Sequence, residues 1–180
     1  LVQMKGALST GKASDSYENF KEKVTTVQNL QERVSEYITR LFSSGNLTEQ
    51  QSEHTAGLLY VANNIQRIAE RCQDIDGIWE QIEREDMNLS ETASEELEKC
   101  ISITLDLLNQ AIEAVKAGSE EQAEQVFKNK KKMNKAEKKF NKAHLNRVKK
   151  QQCDPGMTTF FSGILYNLER AADNCVSIAE

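Results

Sequence analysis

The sequence predicts an all-α protein built as two tandem three-helix antiparallel bundles, the first of them with a truncated first helix. Three observations lead there. Glycine and proline are scarce, 8 and 1 in 180 residues, and Glu, Lys, Gln and Ala are plentiful, which suits long helices and leaves a sheet short of turns. Apolar residues recur at alternating three- and four-residue spacings through six segments, the seam of helices packed on near-parallel neighbours. The second half of the chain also repeats the first.

The segments follow in order. Leu1 to Gly11 is a short helical piece. The next runs from Asp15 to Ser43, with Phe20, Val27, Leu30, Val34, Tyr37, Ile38 and Leu41 on its apolar stripe. A third opens at Thr48, whose hydroxyl can cap the helix while Gln51 reaches back. It continues through Leu58, Val61, Ile65, Ile68, Cys72, Ile75, Trp79 and Ile82. Residues 86–90 are the least periodic stretch and mark the boundary between an N-terminal repeat, 1–85, and a C-terminal repeat, 86–180. A fourth helix passes through Leu97, Ile101, Leu105, Leu108, Ile112 and Val115 and stops at Gly118. Ser119 caps a fifth, which carries Val126, Met133, Phe140 and Val148. The sixth is expected to start at Asp154-Pro155, since proline suits a first helical turn, with Phe161, Ile164, Leu168, Ala172, Cys175 and Ile178 as its stripe.

The repeat is read from co-linear matches. "LVQMKGALSTG" (1–11) set beneath "LNQAIEAVKAG" (108–118) superposes Leu, Gln, Ala and Gly, and the same register pairs Phe20 with Phe127, Tyr37 with His144 and Arg40 with Arg147. The last helices pair Asn64 with Asn167, Arg67 with Arg170, Cys72 with Cys175 and Ile75 with Ile178. The length difference falls in the loop before the last helix, where insertions cost little. The first copy begins with 11 residues where the second has a full helix, so the rest is expected upstream, in a longer protein.

Several chemistries lack their residues. A net charge of −5 gives no reason to expect nucleic acid. Cys72, Cys100, Cys153 and Cys175 have no C-x-x-C spacing and read as reduced thiols, three of them on apolar faces and Cys153 in a loop. A di-iron bundle needs two Glu-x-x-His motifs, but His54 follows Gln51 and His144 follows Asn141. No phosphate-cradling glycine loop is present, and no thiol is paired with a base. No enzyme is expected. No signal peptide is expected, and the most apolar stretch, Ile101–Ile112, is broken by Asp106, Asn109 and Gln110, so no bilayer-spanning segment is expected in these residues.

Charge is segregated along the chain. From Lys128 to Lys150 there are 11 basic residues against one acid, Glu137, whereas Glu80 to Glu124 holds 13 acids and 3 bases. Attraction between neighbouring helices accounts for part of this. The sharper expectation is that Lys128, Lys131, Lys135, Lys138 and Lys142 meet an anionic membrane surface, where each lysine contributes roughly 1 kcal/mol, or an acidic partner loop.

The closing stretch "CDPGMTTFFSGILYNLERAADNCVSIAE" (153–180), "LLYVANNIQRIAERCQDI" (58–75) and "KAHLNRV" (142–148) together resemble the PhoU family. The motif L-x-N-L-E-R-x-x-D carries the likeness on Asn167, Glu169, Arg170 and Asp173. The resemblance implies a non-catalytic cytosolic helical module tied to phosphate uptake. Such modules regulate phosphate transport alone, by binding a sensor kinase or a transporter ATPase, or fused after the membrane domain of bacterial sodium/phosphate cotransporters. The fused arrangement is the expectation here: a regulatory domain on the cytoplasmic face of the inner membrane, acting by helix contacts on its transporter, with a homodimer left open.

The family also implies carboxylate pairs that bind metal. Residues i and i+4 share one helix face, so Glu169 and Asp173 keep the pair and Gln66 and Glu70 keep half of it. The preceding helices read "EKVTTVQ" (22–28) and "KKKMN" (130–134), with Lys130 adding positive charge. A multinuclear cluster is therefore not expected. A single divalent or iron ion would draw on Glu169, Asp173 and Glu70, which makes a metal-binding helical bundle the alternative function. Against it stands pairing of those carboxylates with Arg170 or Arg67.

Overall fold

A computed structural model describes the backbone of residues 14–180 and the side chains from Phe20 onward; the expected short segment Leu1 to Gly11 lies outside the described residues. The described chain is all-α, with five helices and no strand: α1 (Ser14–Ser43), α2 (Glu49–Arg84), α3 (Glu91–Ala117), α4 (Glu120–Lys149) and α5 (Met157–Ala179). Helices α3, α4 and α5 each pack on the other two and form a three-helix bundle. Helix α2 lies along α5, and among the described residues α1 packs only on α2. One apolar core runs through all five, from Phe20 and Val24 through Ile75, Leu97, Ile101, Met133 and Phe161 to Ile178.

Helix ends follow local chemistry. Thr48 Oγ1 accepts from the Gln51 amide and the Gln51 side chain accepts from the Thr48 amide, closing the expected capping box. The Ser90 and Ser119 hydroxyls cap α3 and α4 by accepting from the Ala93 and Gln122 amides, without the reciprocal bond. Gly118 ends α3 at φ +58°, a left-handed position that glycine takes without a Cβ penalty. The last helix starts two residues beyond the expected Asp154-Pro155. Asp154 Oδ1 accepts from the Gly156 amide at 2.8 Å, and this Asx turn bends the chain before α5 begins at Met157.

Several positions paired between the second and the last helix have like surroundings. Asn64 and Asn167 are both buried, and each side-chain amide donates to the carbonyl four residues back, Tyr60 at 2.9 Å and Gly163 at 3.0 Å. Cys72 with Cys175 and Ile75 with Ile178 are core pairs. Arg67 and Arg170 are both exposed.

The register between α1 and α4 differs from the expected one by a single residue. Phe20 is buried while Phe127 is 40% exposed, and Tyr37 is 63% exposed while His144 is 1% exposed. Pairing Phe20 with Val126, Val24 with Lys130 and Ile38 with His144 instead superposes buried on buried at those three positions, while buried Phe140 then falls on exposed Val34. One residue turns a helix by roughly 100°, so identical letters one position out of step stand on different faces.

The correction separates α1's apolar residues into two stripes. Phe20, Val24 and Ile38 face α2 and the core, while Leu30, Val34 and Tyr37 are exposed. On α2, Leu58 and Ile65 are exposed too, although their counterparts Phe161 and Leu168 are completely buried in the α3–α5 bundle. The hairpin α1–α2 thus resembles α4–α5 in part and, among the described residues, has no helix placed against it as α3 is against α4 and α5.

Candidate functional site

Helices α4 and α5 build the most concentrated polar constellation. Glu169 and Asp173 lie one turn apart on α5, and Lys130 on α4 reaches between them. Its Nζ is 2.6 Å from Glu169 Oε1 and 2.7 Å from Asp173 Oδ1, and it donates to Asn134 Oδ1 at 2.5 Å. Lys130 is 8% exposed and occupies the place that Val24 takes in the first copy. An ammonium can sit at that depth because all three of its N–H groups are engaged. Arg170 donates to the second Asp173 oxygen at 2.9 Å, so Asp173 is held between two cations.

The third expected ligand stands apart from that pair. Glu70, on α2, accepts from the Gln66 side chain at 3.2 Å. Among the described residues no three His, Cys, Asp or Glu side chains are grouped so that they could hold a metal ion. Of the residues singled out, the structure therefore gathers Glu169 and Asp173, places Glu70 with Gln66, and adds Lys130 and Asn134 to the first pair.

A second constellation joins α3 to α4. Arg147 makes a two-pronged contact with Glu96, at 3.0 Å to Oε1 and 2.6 Å to Oε2. Beside it His144 is stacked on Phe161, ring centroids 4.5 Å apart, with neither ring nitrogen hydrogen-bonded. Burial, reinforced by Arg147 and opposed by Glu96, holds the imidazole pKa below its usual value, which favours a neutral ring packed as an aromatic. Neither grouping was foreseen as a unit. Its only trace in the sequence is the contrast between acidic α3 and basic α4, which gives attraction between helices but no partners.

The thiols sort by depth. Cys72, Cys100 and Cys175 are buried, and burial pushes the Cys100 and Cys175 thiols up to about 12. Cys153, partly exposed in the loop between α4 and α5, lies 3.8 Å from Ser90 Oγ.

The lysine-rich helix turns one face to solvent. Lys128, Lys131, Lys135, Lys138 and Lys142 are all exposed and fall on one stripe by their three- and four-residue spacing. Lys128 pairs with Glu124 at 2.9 Å. Among the described residues no helix is long and apolar enough to cross a membrane.

The fold and these groupings define a helical-bundle module whose ionised residues join helices together. Residues 97–180, spanning α4, α5 and most of α3, match the PhoU domain family. No curated protein and no solved structure matches the chain. The likeness to the PhoU domain is thus confined to the second half of the chain.

Proposed function

We propose that the chain is a non-catalytic regulatory domain of a sodium-dependent phosphate transporter, held at the cytoplasmic face of the inner membrane and acting through helix contacts. The observation that carries this reading is the PhoU match over residues 97–180. It is supported by the way charged groups are used: Lys130, Arg147, Glu96 and Glu169 are engaged in joining helices, which suits a scaffold better than a catalyst. The contact surface is the α4 stripe of Lys128, Lys131, Lys135, Lys138 and Lys142. Five lysines facing one way attract an anionic surface at long range, with an attraction that salt weakens.

The test has two arms. Purified protein is floated with vesicles of phosphatidylcholine and phosphatidylglycerol at low salt, beside a variant carrying Lys131→Glu, Lys135→Glu, Lys138→Glu and Lys142→Glu. Phosphate uptake is then measured in cells making the natural full-length protein with and without the same changes. Flotation of the parent alone and altered uptake support the reading. Unchanged uptake overturns the regulatory assignment, and absence of flotation overturns the membrane surface as the target of the stripe.

The alternative within the family is a free regulator that binds a sensor kinase or a transporter ATPase. The upstream reading frame separates the two: hydrophobic spans encoded before residue 1 favour the fused arrangement, and an adjacent start codon favours the free one.

A further inference from the structure

A metal ion at the Glu169–Asp173 pair, which the family's carboxylate pattern implies, does not fit the residues present. We infer that Lys130 is itself the resident cation of that pair, so that this half of the molecule closes the site with its own side chain. The inference is independent of the regulatory reading, since it concerns what holds α4 to α5.

The geometry carries it. An ammonium has three N–H donors and no acceptor, and Lys130 Nζ has three oxygens around it, from Glu169, Asp173 and Asn134, at 2.6, 2.7 and 2.5 Å. A divalent ion would bind the same oxygens at roughly 2.0–2.6 Å, so Nζ and a metal would occupy one place. Arg170 on the far oxygen of Asp173 adds a second cation for any metal to meet. Lys130 is also nearly buried, where an ammonium deprived of its carboxylates would be left unpaired.

The first copy gives the control. There the place of Lys130 is taken by Val24, which is buried in the core, and the place of Glu169 by Gln66, which donates to Glu70 at 3.2 Å. A lysine stands where the neighbouring helix presents two carboxylates, and an aliphatic side chain where it presents one carboxylate already served by an amide. Charge and counter-charge change together between the copies.

Removing the ammonium should therefore expose a vacant ligand set of two carboxylates and one amide carbonyl. The experiment titrates chelator-treated protein with Mn2+ and follows the free ion by electron paramagnetic resonance. Lys130→Ala is expected to bind Mn2+ at least about tenfold more tightly than the parent, and to lose that gain when Glu169→Gln and Asp173→Asn are added. Equal affinity in parent and Lys130→Ala, whether both bind or neither does, overturns the inference. Lys130→Met, which keeps the apolar stem, replaces Lys130→Ala if circular dichroism shows that the latter has unfolded. In the parent itself, 15N lysine spectra are expected to show one slowly exchanging ammonium that excess Mg2+ leaves unmoved. No such signal, or its loss on adding Mg2+, overturns the inference without any variant.

Discussion

Arg147 and Glu96 face each other fork to fork, nitrogen to oxygen at 3.0 and 2.6 Å, with both side chains largely removed from water. This pair fixes the end of α4 to the start of α3. Removing one partner leaves the other charge desolvated and alone, so Glu96→Ala should cost about 3–5 kcal/mol. Replacing both, as Glu96→Leu with Arg147→Leu, should recover much of that loss, since a well-packed apolar pair is often as stable as the ion pair. Urea unfolding of the single and double variants measures both.

His144 gives the protein an acid-sensitive core. Its folded pKa is held down, chiefly by burial, while the unfolded chain returns to about 6.5. Below that value the unfolded state binds a proton that the folded state resists, so stability falls as pH drops toward the folded pKa. Above it this contribution is fully retained. The slope from this residue reaches at most about 1.4 kcal/mol per pH unit. Replacing His144 with Phe should flatten the stability profile on the acid side of about pH 6.5, measured as urea midpoints against the parent.

Position 151 offers a stabilising change. Gln151 follows α4 with φ +56°, a left-handed conformation that costs a residue with a Cβ roughly 1 kcal/mol. Gln151→Gly should raise stability by about 0.5–1 kcal/mol, read as a higher melting temperature. A drop would show that the Gln151 side chain contributes more than its backbone costs.

Equivalent positions in the two copies should respond unequally. Leu168 is completely buried, whereas its counterpart Ile65 is 37% exposed. Leu168→Ala should cost about 2–5 kcal/mol, and Ile65→Ala in this same chain under about 1 kcal/mol. Similar losses at both sites would mean that the α1–α2 face is covered in solution.

Thiol chemistry checks the depth of the core directly. Cys153 should react with iodoacetamide in the folded protein. Cys72, Cys100 and Cys175, buried and with Cys100 and Cys175 pushed up to about 12, should react only after denaturant is added. Mass spectrometry counts the labels.

The all-α class and the helix caps were legible because their signals are local. Thr48 with Gln51, Gly118 and Ser119 act within a turn of themselves, and the apolar spacing of α5 names residues that are buried, whereas on α3 it holds for Leu97 and Ile101 but passes over the buried Leu107 and takes in the exposed Val115. The α1–α4 register was not legible in the same way. Identical Phe and Arg letters favoured one alignment, but packing discriminates faces, and Val24 over Lys130 is a match only when burial is known. The candidate site was half legible. The i, i+4 spacing put Glu169 and Asp173 on one face, and Lys130 was recognised as nearby positive charge. That its Nζ sits between the two carboxylates depends on how α4 crosses α5, which no spacing within one helix records.

Among the described residues helix α1 packs only on α2, across a short turn that includes Gly45. A hairpin arm fastened along a single side can swing away while the remaining four rods stay clasped. Amide exchange should therefore be fastest in α1 and slowest in α3 and α5, and a protease nicking near Gly45 would shed the arm while sparing the Lys130 clasp.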